Sequence, residues 1–190
     1  MFPSPVTVSP QDWSADGRFL VYTVPDAKGN RQLWVLPMFG ERKPVPFVEN
    51  GATNYYAGFS HDGRWVAYAS NESGKYEVWV QSFPAGNGKW QVSTSGGVQP
   101  RWRRDGKELC YLGLDRKLMA VPVRGVSTLE FGAGVPLFEA RTESGTTVIS
   151  GLMQQYDVAP DGQRFLLNLE PDSSASPITV VLNWTTGLKK

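Results

Sequence analysis

The stretch Phe59-Ser60-His61-Asp62-Gly63-Arg64-Trp65-Val66-Ala67-Tyr68 decides the fold. Its Asp-Gly pair stands between an aromatic residue and a short apolar run. Glycine accepts the positive φ that a tight turn demands, so the stretch reads as two strands joined by a hairpin. The pattern recurs as Trp13-Ser14-Ala15-Asp16-Gly17, Trp102-Arg103-Arg104-Asp105-Gly106 and Val158-Ala159-Pro160-Asp161-Gly162, each before an apolar run. The aspartates are 46, 43 and 56 residues apart. One hairpin signal every ~40–50 residues is the period of propeller blades.

Working outward from each turn, Val, Tyr, Trp and Thr fill the runs, and Gly, Pro, Asn and Ser fill the gaps. The second unit reads as strands at 55–60, 64–70, 76–83 and 89–94. The first reads as 11–14, 18–24, 32–37 and 43–48, and the third as 98–103, 107–112, 117–123 and 135–139. The fourth has only three, at 154–159, 163–168 and 178–184. No window sustains a 3.6-residue period, so almost no helix is expected. The expectation is an all-β chain, one domain over 1–190, forming a partial propeller of about four antiparallel blades at 9–48, 55–94, 98–139 and 153–184. Each blade is four-stranded except the last, which is short of one strand. Propellers close by pairing strands from both termini in one blade. Residues 1–8 contain Pro3 and Pro5 and supply at most a short edge strand. An open arc is therefore expected, with self-association through its exposed end faces.

The aromatic residues follow the repeat. Trp13, Phe59 and Trp102 stand three before their aspartates; Tyr22, Tyr68 and Tyr111 stand six after. Trp34 and Trp79 occupy equivalent third strands. Such a register favours packing of one blade on the next over a carbohydrate platform.

Composition narrows the partners. Lys and Arg number 19 and Asp and Glu 18, for a net charge of +1, which gives no electrostatic case for nucleic acid or an anionic membrane. No run of 18 apolar residues suggests a membrane span. The start, Met1 to Val6, has neither the basic nor the apolar region of a signal peptide. The single cysteine, Cys110, excludes an internal disulfide and reads as a buried strand residue.

These residues resemble the TolB-like, WD-repeat-like propeller family, whose repeat runs aromatic-Ser-Pro-Asp-Gly-basic before an apolar strand. The match is Phe59-Ser60-His61-Asp62-Gly63-Arg64-Trp65; Pro160 keeps the motif's proline, while Ala15, His61 and Arg104 replace it. The chain, notably 76–80, 89–104 and 178–190, looks like the C-terminal part of bacterial propeller proteins, some of which carry the propeller behind a Ser/Thr protein kinase domain. The resemblance implies a ring of six or more blades, of which this chain holds about four. It also implies a sensory or interaction module in a periplasmic or other extracytoplasmic location. No Gly-rich loop, His-Arg-Asp or Asp-Phe-Gly of a kinase is present.

Candidate chemistry is sparse. Ser60-His61-Asp62 holds the residue types of a hydrolase triad, but neighbours in a strand point to opposite faces, and His61 reads as an exposed turn residue. Gly58-Phe59-Ser60-His61-Asp62 breaks the nucleophile-elbow pattern at its last position. One His and one Cys exclude a zinc cluster, and the Asp-Gly turns lack the alternating carboxylates of a calcium loop. The turn aspartates are expected to cap their own turns. No catalytic, metal or cofactor residues are assigned. Arg101, Arg103 and Arg104 flank Trp102, as an anion contact near the axis or as strand-end charges paired with local acids. Positions six before each aspartate enter the innermost strands, at Pro10, Tyr56, Gln99 and Gln155. Tyr56, Gln99, Arg101 and Gln155 are the candidate channel-mouth binding residues. The 141–152 loop accounts for the longest repeat spacing and is a further candidate. The expected function is a non-enzymatic module that binds a protein or peptide, with a glycan as a second ligand class. The alternative is the substrate-gating propeller of a prolyl-oligopeptidase-type serine hydrolase.

Overall fold

The computed structural model describes residues 7–84, 86, 88–125, 128–142 and 153–169, together with the backbone of 178–182. The first blade pairs β1 (Ser9–Trp13), β2 (Phe19–Pro25), β3 (Arg31–Pro37) and β4 (Val45–Val48) in chain order. The second repeats this with β5 (Asn54–Phe59), β6 (Trp65–Ser70), β7 (Glu77–Ser82) and β8 (Lys89–Gln91). The third contains β9 (Gly97–Trp102), β10 (Glu108–Gly113) and β11 (Lys117–Arg124), followed by β12 (Glu130–Phe131) and β13 (Val135–Glu139). The fourth has β14 (Tyr156–Val158), β15 (Arg164–Asn168) and β16 (Ile178–Leu182). All pairings are antiparallel, and no helix occurs among the described residues. The architecture is all-β and that of a partial propeller, with the fourth blade one strand short among the described residues.

The third blade differs from expectation. Its outer position holds two short strands: β13 pairs with Lys117–Ala120 and β12 with Val123 and Arg124. The eight-residue β11 is longer than β13 covers, so a second short strand satisfies its far end. The expected first strand of the fourth blade, 154–159, is trimmed to Tyr156–Val158. The loop at 143–152, the stub at 1–6 and the chain beyond 182 lie outside the described residues.

Blade faces pack because side chains alternate along a strand. Val66 and Tyr68 of β6 join Val21, Leu33 and Val35 of the first blade, while Trp65 and Ala67 of the same strand join Leu109, Tyr111 and Val121 of the third. A third cluster sets Cys110, Leu112 and Leu118 against Tyr156, Phe165 and Leu167. Each fully buried Val, Leu or Phe contributes about 1.5–3 kcal/mol. β6 is buried on both faces throughout, whereas β15 buries Phe165 and Leu167 and leaves Leu166 53% exposed. Among the described residues the two inner blades are covered on both sides and the two terminal blades on one. For the same reason Trp13 is 50% exposed although Phe59, its counterpart, is buried: the packing expected of the repeated aromatics needs a second blade, and β1 packs chiefly against β2 and β5.

Candidate functional site

The four Asp-Gly turns share one geometry. Gly17, Gly63, Gly106 and Gly162 have φ of 72°, 70°, 71° and 69°, the left-handed region where side chains are strained. Each glycine N–H donates to the carbonyl three residues back, at 2.8, 2.9, 2.9 and 2.8 Å. Each aspartate accepts the backbone N–H two residues on: Arg18 at 3.0 Å, Arg64 at 3.1 Å, Lys107 at 3.0 Å and Gln163 at 2.9 Å. These bonds favour the ionised form and hold all four carboxyls below their ordinary range. The aspartates cap their own turns, as expected.

The turn also consumes Ser60. Its hydroxyl donates to Asp62 at 2.6 Å and accepts the Trp65 N–H at 3.0 Å, while His61 is exposed. The three residues act as a turn. Cys110 is fully buried, and burial pushes its thiol up to about 12.

Three of the candidate channel-mouth residues meet in a buried row that crosses the blades. Tyr56, Gln99 and Gln155 are 4–5% exposed. The backbone N–H of Tyr56 donates to Gln11 Oε1 at 2.7 Å, the Tyr56 hydroxyl is hydrogen-bonded to the Gln99 side chain, and the Gln155 N–H donates to Gln99 Oε1 at 2.7 Å. The Tyr156 hydroxyl closes the row by donating to the Gln99 carbonyl at 2.8 Å. The first-blade member is Gln11, not Pro10, because β1 carries an irregularity between Pro10 and Asp12. β5 and β9 are irregular at the matching place, where Tyr56 and Gln99 both take φ of 55°. In the second and third blades this bulge turns the position six before the aspartate, Tyr56 and Gln99, away from solvent and into the neighbouring blade.

The position four before each aspartate brings charges together across the blades instead. It holds Asp12, Gly58, Arg101 and Asp157. Arg101 Nε lies 3.9 Å from Asp157 Oδ1, with 27% and 70% of the two side chains exposed. Asp12 is electrostatically coupled to both, and burial raises its carboxyl above the ordinary range. Its Oδ2 accepts the Phe59 N–H at 2.8 Å, and a side chain at Gly58 would come within 3.7 Å of that oxygen. Arg101 Nε has no hydrogen-bond partner among the described residues. The sequence carried this signal in the same strands, two residues further along. Arg103, by contrast, pairs with Asp105 at 2.7 Å and Glu108 at 3.6 Å, as a strand-end charge.

Two cavities adjoin the charged ring. One of about 320 Å³ is lined by Arg101, Gln154, Gln155, Asp157 and Leu166. The other, of about 250 Å³, draws on all four blades, among them Asp12, Phe59, His61, Arg104 and Val158. No cluster of three or more metal-ligating side chains occurs among the described residues, and no helix there is long and apolar enough to cross a membrane.

No protein-family model and no curated protein matches the chain. Solved structures do. TolB from Acinetobacter baumannii superposes with a TM-score of 0.66 at 16% identity, over 98% of this chain and 43% of that one. The periplasmic gluconolactonase of Pseudomonas aeruginosa gives 0.50 at 18% identity, over 83% and 49%. The Cps50 (Swd1) β-propeller domain of Myceliophteria thermophila gives 0.52 at 11%, over 96% and 71%. The fold is therefore that of TolB-like and WD-repeat-like β-propellers, and the chain spans less than half the length of the TolB it resembles. Proteins named TolB and a gluconolactonase share this fold, so the fold alone assigns no role.

Proposed function

We propose that this chain is a non-catalytic binding module that receives a protein or peptide at the axial ring of Asp12, Arg101 and Asp157. The observation that carries this reading is the convergence of three charged side chains from three blades at one repeat position, with Arg101 Nε left without an acceptor. A guanidinium between two carboxylates suits a group that both donates and accepts hydrogen bonds, as a side-chain amide or a peptide bond does; glycan hydroxyls are the second class that fits. Arg101 makes the contact, and Tyr56, Gln99 and Gln155 hold the backbone beneath it. The module is the interaction or sensory part of a larger bacterial protein, such as an extracytoplasmic segment of a receptor-like kinase.

The test places a photo-cross-linking amino acid at His61 or Val158, beside the ring, and at Phe39 on the exposed side of the first blade, in the intact protein. Adducts from His61 and Val158 that vanish in an Arg101→Ala background are expected. Adducts from Phe39 alone overturn the axial site. Hydrolysis of gluconolactone that Arg101→Ala abolishes would replace the binding module with an enzyme.

A further inference from the structure

A groove distinct from the two cavities beside the axial ring lies between the second and third blades. It opens between the Asp62-Gly63 and Asp105-Gly106 turns, where the second blade meets the third, and encloses about 430 Å³. Its floor is apolar: Trp65, Val123 and Leu129 are 5–6% exposed, and Trp102 is partly buried against the same cluster. Such a floor favours any apolar body that covers it.

The walls are charged, but unevenly. Arg64 is held by Asp62 at 2.7 Å on one side. On the other, Asp105 is held by Arg103, at 2.7 and 2.8 Å. Both wall carboxylates are thus engaged. Lys107 and Arg124, also lining the groove, are exposed and lie within 4.0 Å of no carboxylate among the described residues, although Lys107 acts on Asp105 at longer range. The surplus charge of the groove is positive.

A third requirement comes from Trp102. Its indole Nε1 is buried and has no acceptor among the described residues. A buried donor left unmade is costly, and an incoming acceptor recovers that cost. The groove therefore offers an apolar floor and two exposed cations, and Trp102, whose buried indole donor lacks an acceptor, is among its lining residues.

We propose that this groove is a second binding site and that its occupant is an acidic peptide segment, with a carboxylate side chain next to an apolar or aromatic one. The apolar side chain covers Trp65, Val123 and Leu129. The carboxylate meets Lys107 and Arg124. A peptide carbonyl accepts from Trp102. Two cations on a chain of net charge +1 are too few for a phosphate backbone, whose binding draws on many such contacts. Asp12, Arg101 and Asp157 do not line the groove, although Trp102 lines both it and the smaller cavity beside them, so Arg101→Ala tells this site from the axial one.

The test is a titration of the full chain, with nitrogen-15 in its tryptophan indoles, by capped hexapeptides in which two aspartates flank each apolar or aromatic residue type in turn. Saturable shifts of the Trp65 and Trp102 indole signals are expected, and these shifts should weaken as salt is added. Asparagine counterparts of the peptides, and the Lys107→Gln/Arg124→Gln double variant, should each bind about tenfold more weakly or worse. Trp102→Phe, which removes the N–H and keeps an apolar ring, should also weaken binding, while Arg101→Ala leaves it unchanged. The proposal is overturned if no peptide in the set shifts either indole, or if the double variant binds as tightly as the natural chain. It is also overturned if phenylacetate alone binds as tightly as the best peptide.

Discussion

Gln99 Oε1 accepts the backbone N–H of Gln155, one blade further on, at 2.7 Å, and both residues are at most 5% exposed. Gln99→Leu leaves that N–H without an acceptor, and also strips the Tyr56 hydroxyl of its partner. The expected loss is about 1–3 kcal/mol of unfolding free energy, read as a lower urea midpoint at unchanged slope. A midpoint equal to that of the natural chain would sink the claim that this row ties the blades together.

The turn carboxylates set a pH limit. Asp16 is held low by its Ser14 bond and Asp105 by Arg103; in Asp62 the Ser60 and Arg64 bonds outweigh burial, and in Asp161 the Gln163 N–H leads. A carboxyl with a lowered folded-state pKa adds stability that is present above its unfolded value, ~3.9, and is lost as pH falls through the folded value. Stability should therefore fall as pH drops below about 4. Replacing all four aspartates by Asn should flatten that acid limb in a pH series of urea melts; an unchanged limb would place the acid sensitivity elsewhere.

Asp12 has the opposite sign. Burial raises its pKa, so ionisation at neutral pH costs stability, even though Oδ2 accepts the Phe59 N–H at 2.8 Å. Asp12→Asn keeps an acceptor and removes the charge, and should be neutral or stabilising by up to about 1 kcal/mol at pH 7. Asp12→Leu removes the acceptor and should cost about 1–3 kcal/mol. Thermal melts of the two variants at pH 7 decide it, and equal effects would show that the Phe59 bond is immaterial.

Gly17 and Gly162 share nearly the same φ but not the same surroundings. A Cβ at Gly17 meets nothing within 4 Å, while one at Gly162 falls 2.4 Å from Arg103 Cδ, in a side chain tethered to Asp105. Gly17→Ala should cost about 1–2 kcal/mol, the left-handed penalty alone. Gly162→Ala should cost more, and the excess should disappear in an Arg103→Ala background, as a double-mutant cycle measures.

Cys110 should be inert to Ellman's reagent in the native state. It is fully buried and its thiol is pushed up to about 12, so the reactive thiolate is scarce and inaccessible. Reaction should appear only as urea unfolds the chain, at the rate of unfolding. Prompt labelling of the native protein would contradict the packing of the third and fourth blades.

The blades were legible because their turns repeat a local chemistry: Asp and Gly at fixed offsets specify a hairpin with no help from distant residues. The candidate site was harder to read, because a bulge in each of the first three inner strands breaks the alternation on which register arguments rest. Position Asp62 minus six looked like a channel mouth in Tyr56, yet the bulge delivers it to the interior, and the charges come together two residues later, at Asp12, Arg101 and Asp157. Nothing in the spacing announced β12 either, since a two-residue strand has no period to detect. The polarity of Gln11, Gln99 and Gln155 was visible; that it is spent between blades depends on neighbours 45–57 residues away.

The row that links Gln11, Tyr56, Gln99 and Gln155 also constrains how such a chain can be rearranged over evolutionary time. Each turn is self-contained and could be copied anywhere, but each link in the row takes its two halves from different blades. Duplicating or transplanting one blade would carry only half of each bond at its two borders. The hairpins are interchangeable parts, whereas the blades are matched pairs, and recombination that respects this chain's stability must move neighbours together.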